Sequence, residues 1–293
     1  PSSSGPKNPA DFTAVWNAGR GAFKCVERVD DNTVKLFDIK NIHAIVLEPS
    51  LSRVTGRSKD GRINIRSNYV KNFKHDIYTV KAYTKGAQKT TVDTLGEGLW
   101  KDVKNMPMPQ NMPQMRYTKC VAVALMQADV SVYNPDTGKS SKFKTEKYED
   151  PKIVVLEFKG RAIIAKGPDG IMKGSGWVGS LAEYDVAEDN CDSWYIYQQE
   201  NIEHPDRDGD KVWLHPSFGF KPPSDVPEDV LDKAAELYEV FAKYLKEHWG
   251  HDDEDDIPDE PDPSDRIDGP DEDYGTPDDD NNGPEKPSIK PKF

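Results

Sequence analysis

The sequence predicts a mainly β fold, followed by one helix and an acidic tail. Short apolar or alternating runs recur between turn-forming segments, which is typical of a β-sandwich or barrel. These runs lie at 22–28, 33–38, 42–47, 62–66, 77–83, 117–125, 153–158, 161–166, 194–199 and 211–214. One amphipathic pattern lies at 224–250, and residues 251–293 contain almost no core-forming side chains.

Four segments follow from these patterns. Residues 1–19 are rich in Ser, Pro and Asn and are predicted to be a flexible arm, and residues 20–223 are predicted to be the β-rich core. A helix is predicted at 224–250, because Pro227 suits a first turn and Gly250 follows the end. Its apolar residues recur at helical spacing and should pack against the core: Val230, Ala234, Leu237, Phe241, Tyr244 and Leu245.

Charge is distributed unevenly along the chain. The formal net charge is -13, and residues 251–293 alone contain 17 acidic and 4 basic residues, whereas residues 1–250 contain 35 of each. We expect this acidic tail to be disordered, because it cannot bury enough apolar surface to offset its chain entropy. Residues 51–92 show the opposite bias, with ten basic and two acidic residues.

The sequence favours an intracellular protein. No stretch approaches the ~20 apolar residues that a membrane span needs, and residues 1–7 lack the apolar region of a secretory signal. Cys25, Cys120 and Cys191 are odd in number and widely spaced, which does not predict a disulfide framework. We therefore expect no membrane partner and an intracellular location, which would be the host cytoplasm if the protein is viral.

Alternation within the basic stretch separates its cations from its apolar residues. In residues 62–66, period 2 places both isoleucines on one face of a strand and Arg62, Asn64 and Arg66 on the other. In residues 78–83 the same pattern directs Val80 and Ala82 inward and directs Thr79, Lys81 and Tyr83 outward. Two neighbouring strands would thus present cations and an aromatic ring together.

This combination is what a groove for single-stranded nucleic acid requires: cations along the phosphates and aromatic faces on which unpaired bases stack. The candidate phosphate contacts are Arg53, Arg57, Arg62, Arg66, Lys71, Lys74 and Lys81, with Asn64 on the same strand face. The candidate stacking residues are Tyr69, Phe73, Tyr83 and Trp100. A solvated basic sheet face, or a surface for an anionic protein partner, remains the alternative interpretation.

The order of features resembles the single-stranded DNA-binding proteins of bacteriophages. The resemblance is carried by the segments at 42–47, 63–68, 117–121 and 156–162, and by an acidic C-terminal tail that ends in an aromatic residue, Phe293. It covers about residues 22–166 and the tail.

The resemblance implies an OB-like Greek-key barrel with elaborations and a non-enzymatic role in phage DNA replication or recombination. It implies single-stranded DNA as a partner, and a tail that modulates access to DNA and recruits replication proteins. It implies no cofactor. The oligomeric state stays open.

Two alternative functions stay open. A viral structural or assembly protein could use the basic face and the acidic tail to meet a partner. A metal-dependent nuclease could use carboxylates of the C-terminal half, and His204 and His215 flank an Asp-rich turn that could contribute to a metal site.

Other motifs do not support catalysis. The segment 138–140, Gly-Lys-Ser, lacks the glycine of a phosphate loop, because Tyr133 occupies that position, so a hairpin is the preferred interpretation. The calcium-loop pattern beginning at Asp206 fails at Lys211 and Ser217, where Gly and Glu are required. We therefore expect no catalytic residue and no metal.

Overall fold

The computed structural model describes residues 8–28, 34–58, 60–86, 90–108, 112–135, 137, 139–167, 170–205 and 212–248. Its strands are β1 (Phe12–Asn17), β2 (Ala22–Arg28), β3 (Val34–Arg57), β4 (Ile63–Ser67), β5 (Tyr78–Lys85), β6 (Thr90–Gly98), β7 (Arg116–Asn134), β8 (Lys139–Ser140), β9 (Lys144–Phe158), β10 (Lys166–Gly167), β11 (Gly170–Ile171), β12 (Tyr195–Gln198), β13 (Ile202–Pro205), β14 (Val212–His215) and β15 (Phe218–Lys221). Its helices are α1 (Trp100–Val103), α2 (Gly176–Glu183) and α3 (Glu228–His248). The predicted mainly β class is confirmed.

The long strand β3 organises the main sheet. One edge of β3 pairs with β7 over Phe37–Thr55. Its other edge pairs in turn with β2, β12 and β4. Register shifts along β3 and β7 mark bulges, which bend and twist a strand. Successive parts of β3 can therefore pair with three different strands.

Five strands form a closed circuit of pairings. β1 pairs with β2, β2 with β3, β3 with β7, β7 with β9, and β9 returns to β1. The closing pair, β1–β9, is parallel, and the other four pairs are antiparallel. The order around this circuit follows the chain, and the parallel closing pair distinguishes it from a Greek key, in which all strands are antiparallel.

The inner face of this sheet is the main hydrophobic core. Alternate residues of β4, β5, β7 and β9 converge there, together with aromatic residues from β2 and α2. Its fully buried members include Phe23, Ile65, Tyr78, Val80, Ala82, Val121, Val123, Leu125, Val154, Leu156, Phe158 and Trp177. The predicted inward orientation of Val80 and Ala82 is confirmed.

The outer face is partly covered by α3. Ala234, Phe241, Tyr244 and Leu245 are buried in a second cluster with alternate residues of β3, β7 and β9. Val230 and Leu237 are half-buried against the same cluster. The predicted helix and its apolar stripe are thus confirmed, and α3 occupies Glu228–His248 within the predicted 224–250.

The structure changes the predicted N-terminal boundary. Phe12–Asn17 form β1, so part of the predicted arm is a member of the main sheet. Phe12 and Trp16 are buried, and this apolar contact is the physical reason for the ordered strand. The predicted acidic tail, 251–293, lies outside the described residues.

Among the residues that the structure describes, no helix has the length and apolarity to cross a membrane.

Candidate nucleic-acid interface

A row of basic residues crosses the outer face of the sheet in register. Thr55 of β3 lies opposite Arg116 of β7 on one side and opposite Arg66 of β4 on the other. Arg66 in turn lies opposite Lys81 of β5. Directly opposite residues on antiparallel strands share a face and have Cβ atoms about 4.5–5.5 Å apart. Three cations are therefore aligned across four strands, and we call Arg66, Lys81 and Arg116 the cationic row.

The cationic row is accessible but not fully solvated, since all three of its side chains are half-buried. Three cations on one face of a sheet can contact successive phosphates of a nucleic-acid strand.

A second row lies two residues further along the same face. Arg57 of β3 is opposite Asn64 of β4, and Asn64 is opposite Tyr83 of β5. Arg57 and Asn64 are half-buried. Tyr83 was predicted to point outward, but it is only 5% exposed. Alternation along β5 predicted the correct face for Tyr83, but the side chain is buried on that face.

Arg53 lies on this face but belongs to a buried ion pair. Its guanidinium contacts the Glu157 carboxylate, and the two side chains are 4% and 2% exposed. The ring of Tyr69 lies 5.1 Å from the guanidinium carbon, and Tyr69 is also buried. The charge of Arg53 is therefore balanced inside the fold, and Tyr69 offers no open ring face to a base in this conformation. Both predicted roles are corrected accordingly.

Lys71, Phe73 and Lys74 lie in the loop between β4 and β5. The Asp76 carboxylate accepts the backbone N–H groups of Lys71 and Asn72 at 3.1 and 2.8 Å, which closes the loop. Lys71 forms an ion pair of 2.5 Å with Glu48. These residues flank the sheet face rather than belong to its rows.

Phe73 remains a partly accessible aromatic residue in this loop. It is half-buried, and its ring packs edge-on against Tyr117 with centroids 5.5 Å apart. The Lys74 ammonium lies 5.6 Å from the Phe73 centroid. The loop therefore places a cation beside an aromatic ring, as the stacking prediction requires.

Arg62 and Trp100 differ in how far their side chains are exposed to solvent. Arg62 precedes β4 and is 76% exposed, with its Nε 3.8 Å from the Asp60 carboxylate. Trp100 is 5% exposed and packs between Tyr78 and Tyr117. Arg62 is therefore open to a ligand, whereas Trp100 is a core residue and its predicted stacking role is corrected.

Sequence reasoning missed Arg116. It lies outside the basic segment 51–92, and only the β3–β7 register brings it beside Thr55. Its position directly before the apolar run 117–125 marks it as the first residue of a strand, but not as a neighbour of Arg66.

A buried serine and two histidines form a separate polar cluster beside α2. The Ser175 hydroxyl lies 3.2 Å from His215 Nδ1 and 3.3 Å from His204 Nε2. Burial, together with the neighbouring His204 and Arg161, lowers the pKa of His215 to about 3. A hydroxyl carries one proton, so Ser175 donates to one imidazole and accepts from the other.

Two features of the described residues argue against a serine nucleophile at Ser175. Ser175 is fully buried. The nearby Gly176 and Val178 N–H groups already donate to the carbonyls of Pro216 and Ile163, so they are not free to stabilise an oxyanion. The hydrogen bonds of the cluster therefore connect the residue before α2 with β13 and β14.

The described residues contain no group of three or more His, Cys, Asp or Glu side chains that could hold a metal ion. The Asp-rich turn predicted at 206–210 lies outside the described residues. Lys139–Ser140 form β8 and pair with Tyr133 and Asn134 of β7. This is the predicted hairpin.

Comparison with protein-family models, with curated proteins and with solved structures gave no match.

Proposed function

We propose that this protein binds single-stranded DNA with little sequence preference, through the outer face formed by β3, β4, β5 and β7. The observation that carries the proposal is the cationic row, in which Arg66 and Lys81 lie directly opposite each other and Arg116 lies across Thr55. Strand pairing fixes the spacing of these cations, so little ordering of the backbone is needed when phosphates bind.

Neighbouring residues extend the proposed site. Arg57 and Asn64 lie one row away on the same face, Arg62 is exposed beside β4, and the loop with Phe73 and Lys74 offers a ring beside a cation. Cations and an aromatic face supply the two interactions that unpaired strands use in sequence-tolerant binding.

The acidic tail fits this proposal as a competitor. Residues 251–293 carry a net charge of -13, opposite in sign to the cationic row. In the proposed role, DNA displaces the tail, which then becomes available to replication proteins, as in bacteriophage DNA replication or recombination.

The proposed core is the five-stranded circuit, with β4, β5 and β6 as an elaboration that carries much of the binding face. No catalytic step and no cofactor are proposed.

The test is a fluorescence-anisotropy titration of the full-length protein with single-stranded oligonucleotides and with the matching duplexes. Tighter binding to the single strand by about tenfold or more would support the proposal, as would an affinity that falls with salt. The slope of log affinity against log salt should be about -0.7 for each phosphate contacted. Equal affinity for duplex and single strand would contradict the proposal, and so would an affinity that does not change with salt concentration.

A further inference from the structure

A second aromatic group lies at the other end of the outer face. In the pairing of β12 with β3, Tyr195 lies opposite Ile45 and Tyr197 opposite His43. On its other edge, Tyr195 lies opposite Lys221 of β15. His43, Tyr195 and Tyr197 are half-buried and Lys221 is exposed. We call these four residues the aromatic platform.

Hydrogen bonds hold the rings of the platform in place. The Tyr195 hydroxyl lies 2.6 Å from His43 Nδ1. Burial and the charge of Lys221 lower the pKa of His43, so the neutral imidazole can accept this hydroxyl proton at pH 7. The His43 and Tyr197 rings are stacked, with centroids 6.4 Å apart and an interplanar angle of 23°.

The Tyr197 ring is positioned by two further neighbours. Its hydroxyl bonds to Tyr184, whose own hydroxyl accepts a hydrogen bond of 2.8 Å from Gln199. The ring lies directly over Gly219, where a Cβ atom would clash with it. A platform fixed in this way loses little rotamer entropy when a planar ligand stacks on it.

A cation accompanies the rings. The Lys221 ammonium lies 5.6 Å from the Tyr195 centroid and 5.9 Å from the Tyr197 centroid. The nearby Asp129 carboxylate is engaged by Asn41 and Thr145, at 2.7 and 2.6 Å. The platform thus combines stacked rings with a cation at their edge, the same chemistry as the proposed binding face.

The platform and the cationic row lie on one face of β3, with the cluster under α3 between them. Ile45, Leu47 and Leu51 of β3 belong to that covered cluster. His43 and Thr55, the residue between Arg66 and Arg116, are twelve positions apart on β3, and bulges bend the strand between them. A ligand that contacts both ends must therefore be long.

We propose that the aromatic platform is a second subsite for single-stranded DNA, where unpaired bases stack on Tyr195 and Tyr197 while Lys221 contacts an adjacent phosphate. This inference rests on the proposed function and deepens it. It assigns to the outer face two separate contact points for one long DNA strand, with α3 between them.

The experiment measures the affinity of the protein for oligothymidylates of about six and about thirty nucleotides. These lengths lie around the range of site sizes of single-strand binding domains. Replacing Tyr195→Leu and Tyr197→Leu together should weaken binding of the long oligonucleotide by about tenfold or more, because stacking on each ring is lost. Tyr195→Phe keeps the ring and should bind within about twofold of the wild type. Tyr238→Leu removes an exposed tyrosine of α3 and is the matched control.

A second variant changes the cation of the platform and keeps both tyrosine rings. Lys221→Gln, at an exposed position, should reduce the salt slope for the long oligonucleotide by about 0.7. Thermal unfolding midpoints are compared for all variants, and photo-crosslinking of an iodouracil oligonucleotide should label the segment that contains Tyr195 and Tyr197.

The outcomes separate this inference from the proposed function. Suppose that both platform variants bind the long oligonucleotide as the wild type does, while Arg66→Ala with Lys81→Ala weakens it. The second subsite is then wrong and the proposed function stands. If the wild type shows no preference for single strands, both proposals fail.

Discussion

Arg66 of β4 lies directly opposite Lys81 of β5, on the face of the sheet that points away from the main core. Their neighbour Arg116 adds a third cationic side chain across Thr55. The arrangement makes the outer face suited to a polyanion, and it yields the first prediction.

Replacing Arg66→Ala and Lys81→Ala together should weaken binding to single-stranded oligonucleotides and reduce the salt slope by about 1.4, because each lost phosphate contact removes about 0.7. The measurement is a set of anisotropy titrations over a range of salt concentrations. Lys139→Ala with Lys144→Ala, at exposed positions on β8 and β9, is the matched control and should leave the slope unchanged. An equal loss in both double variants would mean that only the overall charge matters.

Removing residues 251–293 should tighten binding to single-stranded DNA at low salt, since a competing charge of -13 is lost. The gain should shrink toward zero near 1 M salt, where charges are screened beyond about 3 Å. Titrations of the full-length and shortened proteins test this. A tail of the same length with Asp→Asn and Glu→Gln replacements should behave like the deletion, and an unchanged affinity at low salt would refute competition by the tail.

Replacing Glu157→Ala should destabilise the protein by about 3–5 kcal/mol, because the buried Arg53 guanidinium would lose its partner. Replacing both partners, as Arg53→Met with Glu157→Leu, should cost much less. Urea unfolding measures the free energy of unfolding of each variant.

The control for this pair is Lys243→Ala on the surface of α3. Lys243 lies 3.9 Å from Glu247, with side chains 75% and 44% exposed, and such a pair contributes at most about 1 kcal/mol. If Glu157→Ala costs no more than this control, the buried pair does not stabilise the fold.

His215 should make stability depend on pH below neutrality. Its folded pKa is lowered to about 3, mainly by burial, whereas an unfolded histidine has a pKa of about 6.5. Between these values the unfolded chain binds a proton that the folded protein does not. The free energy of unfolding should therefore fall as pH decreases from 6.5 toward 3, by up to about 1.4 kcal/mol per pH unit.

Urea unfolding at a series of pH values tests this prediction with His215→Asn, which can keep a hydrogen bond to Ser175. The variant should lose stability less steeply than the wild type below pH 6.5, while His75→Asn, at an exposed position, should follow the wild type. If the free energy of unfolding changes with pH in the same way for His215→Asn and the wild type, His215 does not take up a proton when the protein unfolds.

Several elements could be predicted because their signals are local. The run at 22–28 coincides with β2, and the amphipathic pattern contains α3. In contrast, β6 was missed because its sequence, Thr-Thr-Val-Asp-Thr-Leu-Gly-Glu-Gly, is largely polar. It is ordered by pairing with β5. The run at 161–166 was predicted as a strand, but a 3₁₀ turn occupies Gly160–Ala162, and Ala162 and Ile163 pack with Trp177 in the main core.

The candidate site was predictable in part for the same reason. Alternation along β4 and β5 assigned Asn64, Arg66 and Lys81 to one face, since side chains alternate on any strand. It could not show that Tyr83, Tyr69 and Trp100 are buried, because alternation assigns a face but not the tertiary contacts made on it.

The sequence by itself determined the β class, the helix, the separation of charge between body and tail, and the face on which each basic residue of a strand lies. These properties depend on periodicity and composition, which are local. Only the tertiary structure determined which cations lie next to each other on paired strands. Register across β7, β3, β4 and β5 aligned Arg116 with Arg66 and Lys81, and the ion pair with Glu157 removed Arg53 from the surface. Contacts between residues that are distant in the chain depend on strand pairing and burial, which no local pattern encodes.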